Sequence, residues 1–137
     1  IDDALLNYRL PTTEAAIRLL CMIAAHESGD FHYVRQRRGP ALSLFQMEPP
    51  TFDDVCDYAQ RRNLYIASYL PCSPWRLVFD QRFAAGMARI FFLRFPEPLP
   101  DADDLHALAC YAKGYWNTYI GKATPDQYLN AYLQHFA

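Results

Sequence analysis

Apolar residues recur at helical spacing along most of this chain, and this periodicity constrains the fold more than any other feature. In the clearest segment they occupy positions i, i+3, i+4, i+7 and i+11, namely Ile17, Leu20, Cys21, Ala24 and Ser28. Such spacing aligns side chains on one face of an α-helix. We predict a helix that Pro11 and Thr12 open and that ends at Ser28-Gly29, because glycine favours helix termination.

Capping residues predict a second helix in the middle of the chain. Thr51 fits an N-cap, and Asp53 and Asp54 would then lie in the first turn, where the helix dipole favours negative charge. This helix is predicted to run to about Arg62. A third helix begins at Ser73-Pro74, is long and apolar, and stops before the proline-rich segment Pro96–Pro100.

Two further helices are predicted towards the end of the chain. Asp101 and Asp104 begin one of them, and Gly114 closes it. The segment Thr124-Pro125-Asp126-Gln127 is typical of a capping box with proline at the first helical position. It predicts a last helix whose stripe includes Tyr128 and Ala131.

The fold class predicted from these segments is mainly α. Residues 1–137 carry no repeat, low-complexity segment or linker that would divide them, so we predict a single domain of five or six helices. Residues 31–47 interrupt the helical pattern with the turn signal Gly39-Pro40. We predict a short irregular or β-like insert there.

The composition is that of a folded domain, with 52% hydrophobic and 20% charged residues. A formal net charge of -2 gives no electrostatic support for nucleic-acid binding, so no nucleic-acid partner is predicted. No apolar run reaches the length of a membrane span, and none is predicted. No motif indicates a cofactor or a metal, and we predict neither.

The four cysteines are Cys21, Cys56, Cys72 and Cys110. None forms a CxxC pair, and none stands at zinc-finger spacing with the histidines. Cys21 and Cys110 fall within apolar helical patterns, where a free cysteine behaves as a small hydrophobe. We therefore predict buried thiols rather than disulfides or metal ligands, which fits synthesis in a reducing compartment.

Glu27 is the first candidate for chemistry. It follows an apolar stripe and precedes the helix end, where partial desolvation would raise the pKa of its carboxyl group. A carboxylic acid that keeps its proton near neutral pH can protonate the oxygen of a glycosidic bond. The alternative at this point is a solvated glutamate at a frayed helix end.

Two later segments follow Glu27-Ser28 in the chain. They are Ser43-Leu44-Phe45-Gln46, within the stretch ALSLFQMEPPT, and Cys110-Tyr111-Ala112-Lys113-Gly114. In order and spacing the three parts resemble the Glu-Ser, Gly-x-x-Gln and Ala-Tyr-Asn-Ala-Gly motifs of soluble lytic transglycosylases and goose-type lysozymes. The wider chain, including residues 96–100 and 115–118, is similar to small transglycosylase-like proteins of tailed bacteriophages.

This resemblance implies a lysozyme-like fold and cleavage of peptidoglycan glycan strands. Glu27 matches the family's single acid/base, which protonates the leaving oxygen and then accepts a proton as the muramyl 6-hydroxyl closes a 1,6-anhydro ring. Ser28 matches a residue near the substrate N-acetyl group, and Gln46 matches a glutamine that lines the cleft. Tyr111 matches a tyrosine that helps to position the acid. The implied location is a phage virion or the host cell, with synthesis in the cytoplasm and action on the periplasmic wall.

Two residues depart from the family pattern. Ser43 stands where glycine is usual, and glycine would permit a positive φ or a close backbone approach. Lys113 brings a cation into the third motif, where Ala112-Lys113 replaces Asn-Ala. Either change could narrow the cleft or silence the enzyme. The alternative function is therefore a structural or interaction component of a virion, because folds outlive their chemistry.

Other polar residues give weaker candidates. Asp30 or Glu48 could supply a second carboxylate for hydrolysis by an inverting route, although solvated turn positions are the simpler interpretation. His26 and His32 flank Glu27 without metal-ligand spacing, which favours a structural role.

Aromatic and basic residues remain open to two interpretations. The aromatic rings could stack on sugars, but core packing is their default; they are Tyr65, Tyr69, Trp75, Tyr115, Trp116 and Tyr119. Arg35, Arg37 and Arg38 are predicted to lie in an exposed loop. These arginines could also meet an acidic partner protein or the peptide carboxylates of peptidoglycan.

Overall fold

The computed structural model describes residues 1–118 and 121–137. The described residues are mainly helical, with 59% of them in α-, 3-10 or π-helices, well above the share of about a third that α-helices have in globular proteins. This confirms the predicted fold class. Tyr119, one of the aromatic candidates, lies outside the described residues, and the predicted single domain stays a prediction.

Seven α-helices lie in the described part of the chain, rather than the five or six predicted. A 3-10 helix spans Tyr65–Tyr69, and a π-helix spans Lys113–Asn117. The α-helices are α1 (Asp2–Asn7), α2 (Glu14–Glu27), α3 (Pro49–Arg61), α4 (Arg76–Phe79), α5 (Gln81–Leu93), α6 (Leu105–Ala112) and α7 (Pro125–Phe136).

Helix α5 is the centre of the core. All ten residues from Phe83 to Phe92 are buried, as expected of a helix that other elements cover on every side. Gly86 allows this close packing, since a Cβ there would lie 3.1 Å from side-chain atoms of Ile66 and Tyr8. The one buried charge on the helix, Arg89, donates from Nε to the carbonyl oxygen of Pro11 at 2.9 Å.

Helix α2 carries the first candidate residue, and its two ends follow the sequence closely. The Thr13 hydroxyl accepts from the Ala16 amide at 3.1 Å and caps the N-terminus, so the helix begins at Glu14 and not at the predicted Pro11-Thr12. At the other end Ser28 is the C-cap, and Gly29 adopts a φ of 61°. The predicted end at Ser28-Gly29 is confirmed. Helix α2 packs on α7, α6 and α5.

The segment predicted as irregular or β-like, residues 31–47, holds turns and two isolated antiparallel bridges, Arg35 to Leu42 and Leu42 to Met47. No strand forms within the described residues. Its positive φ angles, at Ser43 and Gln46 among others, interrupt any extended run, because a strand needs extended backbone throughout.

Two helix boundaries differ from the prediction because proline and aspartate compete with the expected signals. Helix α3 begins at Pro49 after the N-cap Glu48, so Thr51 is not its cap and Asp53 and Asp54 lie beyond its first turn. The predicted helix from Ser73-Pro74 is divided into α4 and α5. Asp80 breaks it, with a φ of -130°, and serves as the N-cap of α5.

The predicted end of α6 at Gly114 is wrong. The helix begins after the N-cap Asp104 as expected, but it ends at Ala112 and continues into the π-helix. Nothing lies within 4 Å of the position that a Cβ on Gly114 would occupy, so no packing constraint acts there. The capping box at Thr124 and Gln127 is confirmed.

The cysteines are less buried than predicted. All four are free thiols; Cys21, Cys56 and Cys72 are half-buried, and Cys110 is exposed. Cys110 is exposed because α6 buries Leu108, Ala109, Tyr111 and Ala112 on its other faces. No helix in the described residues is long and apolar enough to cross a membrane.

Asp80 has two functions, and substitution should separate them. Its Oδ1 accepts from the Phe83 amide at 2.9 Å, and its Oδ2 pairs with Arg76 at 3.2 Å. We expect Asp80→Ala to lower the free energy of unfolding by about 1–2 kcal/mol, because both interactions are lost. Asp80→Asn keeps the capping oxygen and should cost about half as much. Urea denaturation measures both, and equal losses would contradict the capping role.

Candidate functional site

A cleft of about 660 Å³ opens beside the C-terminal end of α2. The insert forms one wall, the segment after α6 forms the other, and Phe91 of α5 and the start of α3 complete it. Its lining residues are Glu27, Gln36, Ala41, Gln46, Met47, Glu48, Thr51, Phe91, Trp116, Asn117, Thr118 and Gly121.

Glu27 is the last residue of α2, and its carboxylate is held from the opposite end of the sequence. The hydroxyl group of Tyr128, in α7, donates a hydrogen bond to Glu27 Oε1. Tyr128 itself is fully buried, and its ring lies 4.5 Å from that of His26 between ring centroids. The packing of α7 on α2 therefore fixes the position of the carboxylate.

Two opposing effects act on the pKa of Glu27. Burial removes water from the carboxylate and raises its pKa above the ordinary value of 4.5. The hydrogen bond from Tyr128 stabilises the charged form and offsets part of this rise. Burial prevails, so Glu27 keeps its proton to higher pH than a solvated glutamate. Burial and the nearby Glu27 charge also raise the pKa of Tyr128, which stays a neutral donor.

The insert wall is a tight loop closed by two backbone hydrogen bonds. Leu42 and Met47 exchange both amide-to-carbonyl bonds at 2.8 Å. Within the loop, Ser43 has a φ of 76° and Gln46 a φ of 56°, so the Ser43 position requires the left-handed backbone that glycine favours. The Ser43 hydroxyl accepts from the Phe45 amide at 3.1 Å, which supports the turn.

The opposite wall, which follows α6, forms hydrogen bonds both to the insert and between its own residues. The indole Nε1 of Trp116 donates to the carbonyl oxygen of Phe45 at 3.1 Å, and its ring lies 4.7 Å from that of Phe91. Lys113 donates to Asn117 Oδ1 at 2.7 Å and to the carbonyl oxygen of Gly121 at 2.6 Å. The cation of Lys113 thus binds the wall together instead of entering the cleft lining.

The structure brings two of the four predicted site residues into the cleft, Glu27 and Gln46. The amide nitrogen of Gln46 donates to the carbonyl oxygen of Ser43 at 2.7 Å. Ser28 is fully buried, and its hydroxyl accepts from the Phe31 amide at 2.7 Å. The Tyr111 hydroxyl donates to the carbonyl oxygen of Glu97 at 3.1 Å. Neither Ser28 nor Tyr111 belongs to the lining.

Of the two candidates for a second carboxylate, Glu48 lines the cleft and Asp30 does not. Asp30 pairs instead with His135 Nε2 at 2.9 Å. The His26 ring packs at a tilt against that of Tyr128, and burial lowers the pKa of His26. His32 Nδ1 lies 2.8 Å from the carbonyl oxygen of Gly29. Among residues 1–118 and 121–137, no three metal-ligating side chains come together.

Only one of the described aromatic candidates, Trp116, lines the cleft. Tyr115 packs on Tyr111, with ring centroids 4.4 Å apart. The other three, Tyr65, Tyr69 and Trp75, are exposed outside the cleft lining.

Tyr128 is the residue of the candidate site that the sequence does not identify. The helical pattern places it only on a stripe of the last helix. A buried tyrosine hydroxyl needs a hydrogen-bond partner, and this requirement could have marked it as a polar contact. The partner itself lies 101 residues away in the sequence, so no local pattern identifies it.

Comparison of the chain with protein families, with curated proteins and with solved structures found no match. The candidate site therefore rests on its own geometry.

The left-handed backbone at Ser43 makes a measurable prediction. Ser43→Gly and Ser43→Ala both lose the hydroxyl group, but only alanine keeps a Cβ at a φ of 76°. We expect the glycine variant to be more stable by about 0.5–1 kcal/mol, because relief of left-handed strain exceeds the greater entropy of unfolded glycine. Urea denaturation of both variants measures the difference.

Ser28 provides the matched control. It is also buried and also accepts a backbone hydrogen bond through its hydroxyl, but its φ is -82°. There the order should reverse, with Ser28→Ala more stable than Ser28→Gly. The same order at both positions would contradict the strain at Ser43.

The raised pKa of Glu27 predicts a pH-dependent stability. Its neutral form favours the folded state, so this contribution is full below a pH of about 4.5 and is lost as the pH rises through the raised folded pKa. Glu27→Gln removes the titration. We expect the free energy of unfolding of Glu27→Gln, minus that of the unsubstituted protein, to increase as the pH rises from about 4.5 through the pKa of folded Glu27. Above that pKa the difference should level off.

Denaturation series between pH 4 and pH 9 measure this difference. Glu48→Gln is the control, because Glu48 is an exposed carboxylate on the same cleft. A gain of equal size in that variant, or none in Glu27→Gln, would show that burial of Glu27 is not the cause.

Proposed function

We propose that this protein cleaves the glycan strands of peptidoglycan by a lytic-transglycosylase-type reaction in a lysozyme-like domain. The observation that carries the proposal is the desolvated carboxyl group of Glu27, which lines an open cleft together with Gln46. The resemblance of residues 27–28, 41–51 and 110–114 to the family motifs supports it. The implied origin is a tailed bacteriophage, with the protein in a virion or acting on the host cell wall.

The chemistry begins with Glu27 as a general acid. Its proton passes to the glycosidic oxygen, the bond from the muramyl C1 to that oxygen breaks, and the leaving sugar takes the electron pair. The muramyl 6-hydroxyl then attacks C1, and its proton returns to Glu27. A raised pKa suits the first step, because the group must be protonated when the bond breaks.

Tyr128 and the cleft walls have supporting functions in this proposal. The Tyr128 hydroxyl holds Glu27 Oε1 in place and offers a hydrogen bond to the carboxylate after the proton leaves. Gln46 and Asn117 present polar groups from the two walls, and the Trp116 ring offers an apolar surface for a sugar face. Tyr128 thus takes the positioning role that the resemblance assigned to Tyr111.

Glu48 distinguishes this reaction from simple hydrolysis. An inverting hydrolase needs a second carboxylate to activate water, and Glu48 is the only other carboxylate in the described lining. The transglycosylase reaction needs none, because the substrate supplies its own nucleophile. Substitution of Glu48 therefore separates the two reactions.

The test incubates the protein with purified sacculi and examines the released products by mass spectrometry. We expect 1,6-anhydromuropeptides from the unsubstituted protein and a loss of at least about a hundredfold in Glu27→Gln, the size expected for a general acid. Glu48→Gln should retain the activity. Reducing-end products that disappear in Glu48→Gln would indicate hydrolysis, and release that persists in Glu27→Gln would reject the assignment of the acid.

A second candidate function is that of an interaction component of a virion with little or no activity. Exposed aromatic rings and arginines favour it, because tyrosine, tryptophan and arginine are enriched at protein interfaces. Phe79 is 77% exposed and Trp75 is 49% exposed, and the Arg9 guanidinium lies 4.2 Å from the ring centroid of Tyr65. No release from sacculi under conditions where a related enzyme works would favour this candidate.

A further inference from the structure

An arginine-rich hairpin borders the cleft. We define it as residues 33–42, which contain Arg35, Arg37 and Arg38 and no acidic residue. Backbone hydrogen bonds hold its two arms together, from the Gln36 amide to the Ala41 carbonyl oxygen at 2.8 Å and from the Ser43 amide to the Val34 carbonyl oxygen at 2.8 Å. The hairpin therefore has a defined backbone conformation, which these hydrogen bonds stabilise.

The side chain of Gln36 crosses the hairpin from one arm to the other. Its Oε1 accepts from the Ala41 amide at 3.1 Å, and a Cβ on Gly39 would collide with this side-chain amide. Gln36 and Ala41 both line the cleft. The inner side of the hairpin thus forms part of the cleft wall, and the arginines belong to the same element.

The three arginines are exposed, and in the described residues none of them forms an ion pair. Arg35 lies over the ring of Trp75, with 4.9 Å from its Cζ to the ring centroid. Arg37 lies 6.0 Å from the ring centroid of Tyr33. These stacked guanidinium groups keep their hydrogen-bond donors available to a ligand.

The described cleft lining holds one exposed carboxylate, Glu48, whereas the hairpin is positively charged. The described lining contains the carboxyl groups of Glu27 and Glu48 and no lysine or arginine. A neutral sugar chain can occupy such a cleft, but a carboxylate attached to that chain would be repelled from it and attracted to the hairpin. The arrangement therefore suits a neutral polymer with acidic branches.

We propose that the arginine hairpin binds the carboxylates of the peptide stems that branch from a glycan strand held in the cleft. This inference rests on the proposed function and adds a second recognition element to it. The planar guanidinium group matches a carboxylate with two parallel hydrogen bonds. The protein would then prefer peptide-bearing strands over strands from which an amidase has removed the peptides.

The experiment compares two soluble substrates in a Glu27→Gln background, which prevents cleavage. One is glycan strands with their peptide stems, released by an endopeptidase from sacculi of a Gram-negative bacterium, which carry no teichoic acid. The other is the same strands stripped by an amidase, with the lactyl carboxylate that this cleavage leaves on each muramyl residue capped as its methyl amide. Calorimetry gives the Kd for each at low and at high salt.

We expect Arg37→Gln with Arg38→Gln to weaken binding of peptide-bearing strands by about fivefold to tenfold, the size of two exposed charge interactions. Binding of stripped strands should not change. The pair Arg37→Lys and Arg38→Lys keeps the charge and should lose less. Added salt should reduce the difference between the two substrates.

The matched control is Arg61→Gln with Arg62→Gln, which removes the same charge from the far end of α3, roughly 18 Å along the helix from its start near the cleft. An equal loss in this control, an equal loss on stripped strands, or no loss at all would overturn the role of the hairpin. The arginine-to-glutamine pair in the hairpin could also weaken binding to a single-stranded oligonucleotide by the same factor. That result would overturn the proposal, because it would indicate a general affinity for polyanions. If neither glycan binds, the proposed function fails as well.

Discussion

The burial of α5 on every side sets the conditions for the rest of the structure. A helix with ten consecutive buried residues cannot use a polar face to meet water, so its neighbours must each supply one apolar stripe and surround it. The C-terminal end of this helix also supports the cleft. Phe91 packs against Trp116 and is itself part of the lining. The wall of the cleft is therefore continuous with the buried helix α5.

The second constraint is the opposition between burial and hydrogen bonding in setting the pKa of Glu27. Ending α2 at the edge of the core removes water from the carboxylate, while α7 returns a single hydrogen bond through Tyr128. These two effects oppose each other, and their balance depends on how α7 packs on α2. The acidity of Glu27 is consequently a property of two helices from opposite ends of the chain. Lys113, in contrast, acts locally. Its hydrogen bonds join parts of one cleft wall that are eight residues apart or less.

Local signals in the sequence predicted local structure well and long-range structure poorly. The C-terminal end of α2, the cap at Asp104 and the capping box at Thr124 depend on a few neighbouring residues, and these predictions are confirmed. Where two local signals compete, the stronger one sets the boundary, and the prediction from the weaker one is wrong. Pro49 begins α3 before Thr51 can cap it, and Asp80 divides an apolar run that looked continuous.

The candidate site divides in the same way. Glu27 and Gln46 could be named from short motifs, and both line the cleft. Their partners could not, because the direction of a side chain depends on packing between distant segments. Ser28 turns towards Phe31 and Tyr111 towards Glu97, whereas Tyr128 reaches Glu27. The left-handed backbone at Ser43 explains why glycine would suit that position, although the chain carries serine there.

The two indole rings are natural fluorophores, and they lie at different sites in the molecule. The chain contains only two tryptophans. Trp116 is part of the cleft wall, whereas Trp75 lies beneath Arg35 at the base of the hairpin. Indole emission depends on local polarity, so single-tryptophan versions would report separately on occupation of the cleft and on movement of the guanidinium group of Arg35. The cleft and the hairpin could thus be followed separately in time without any added dye.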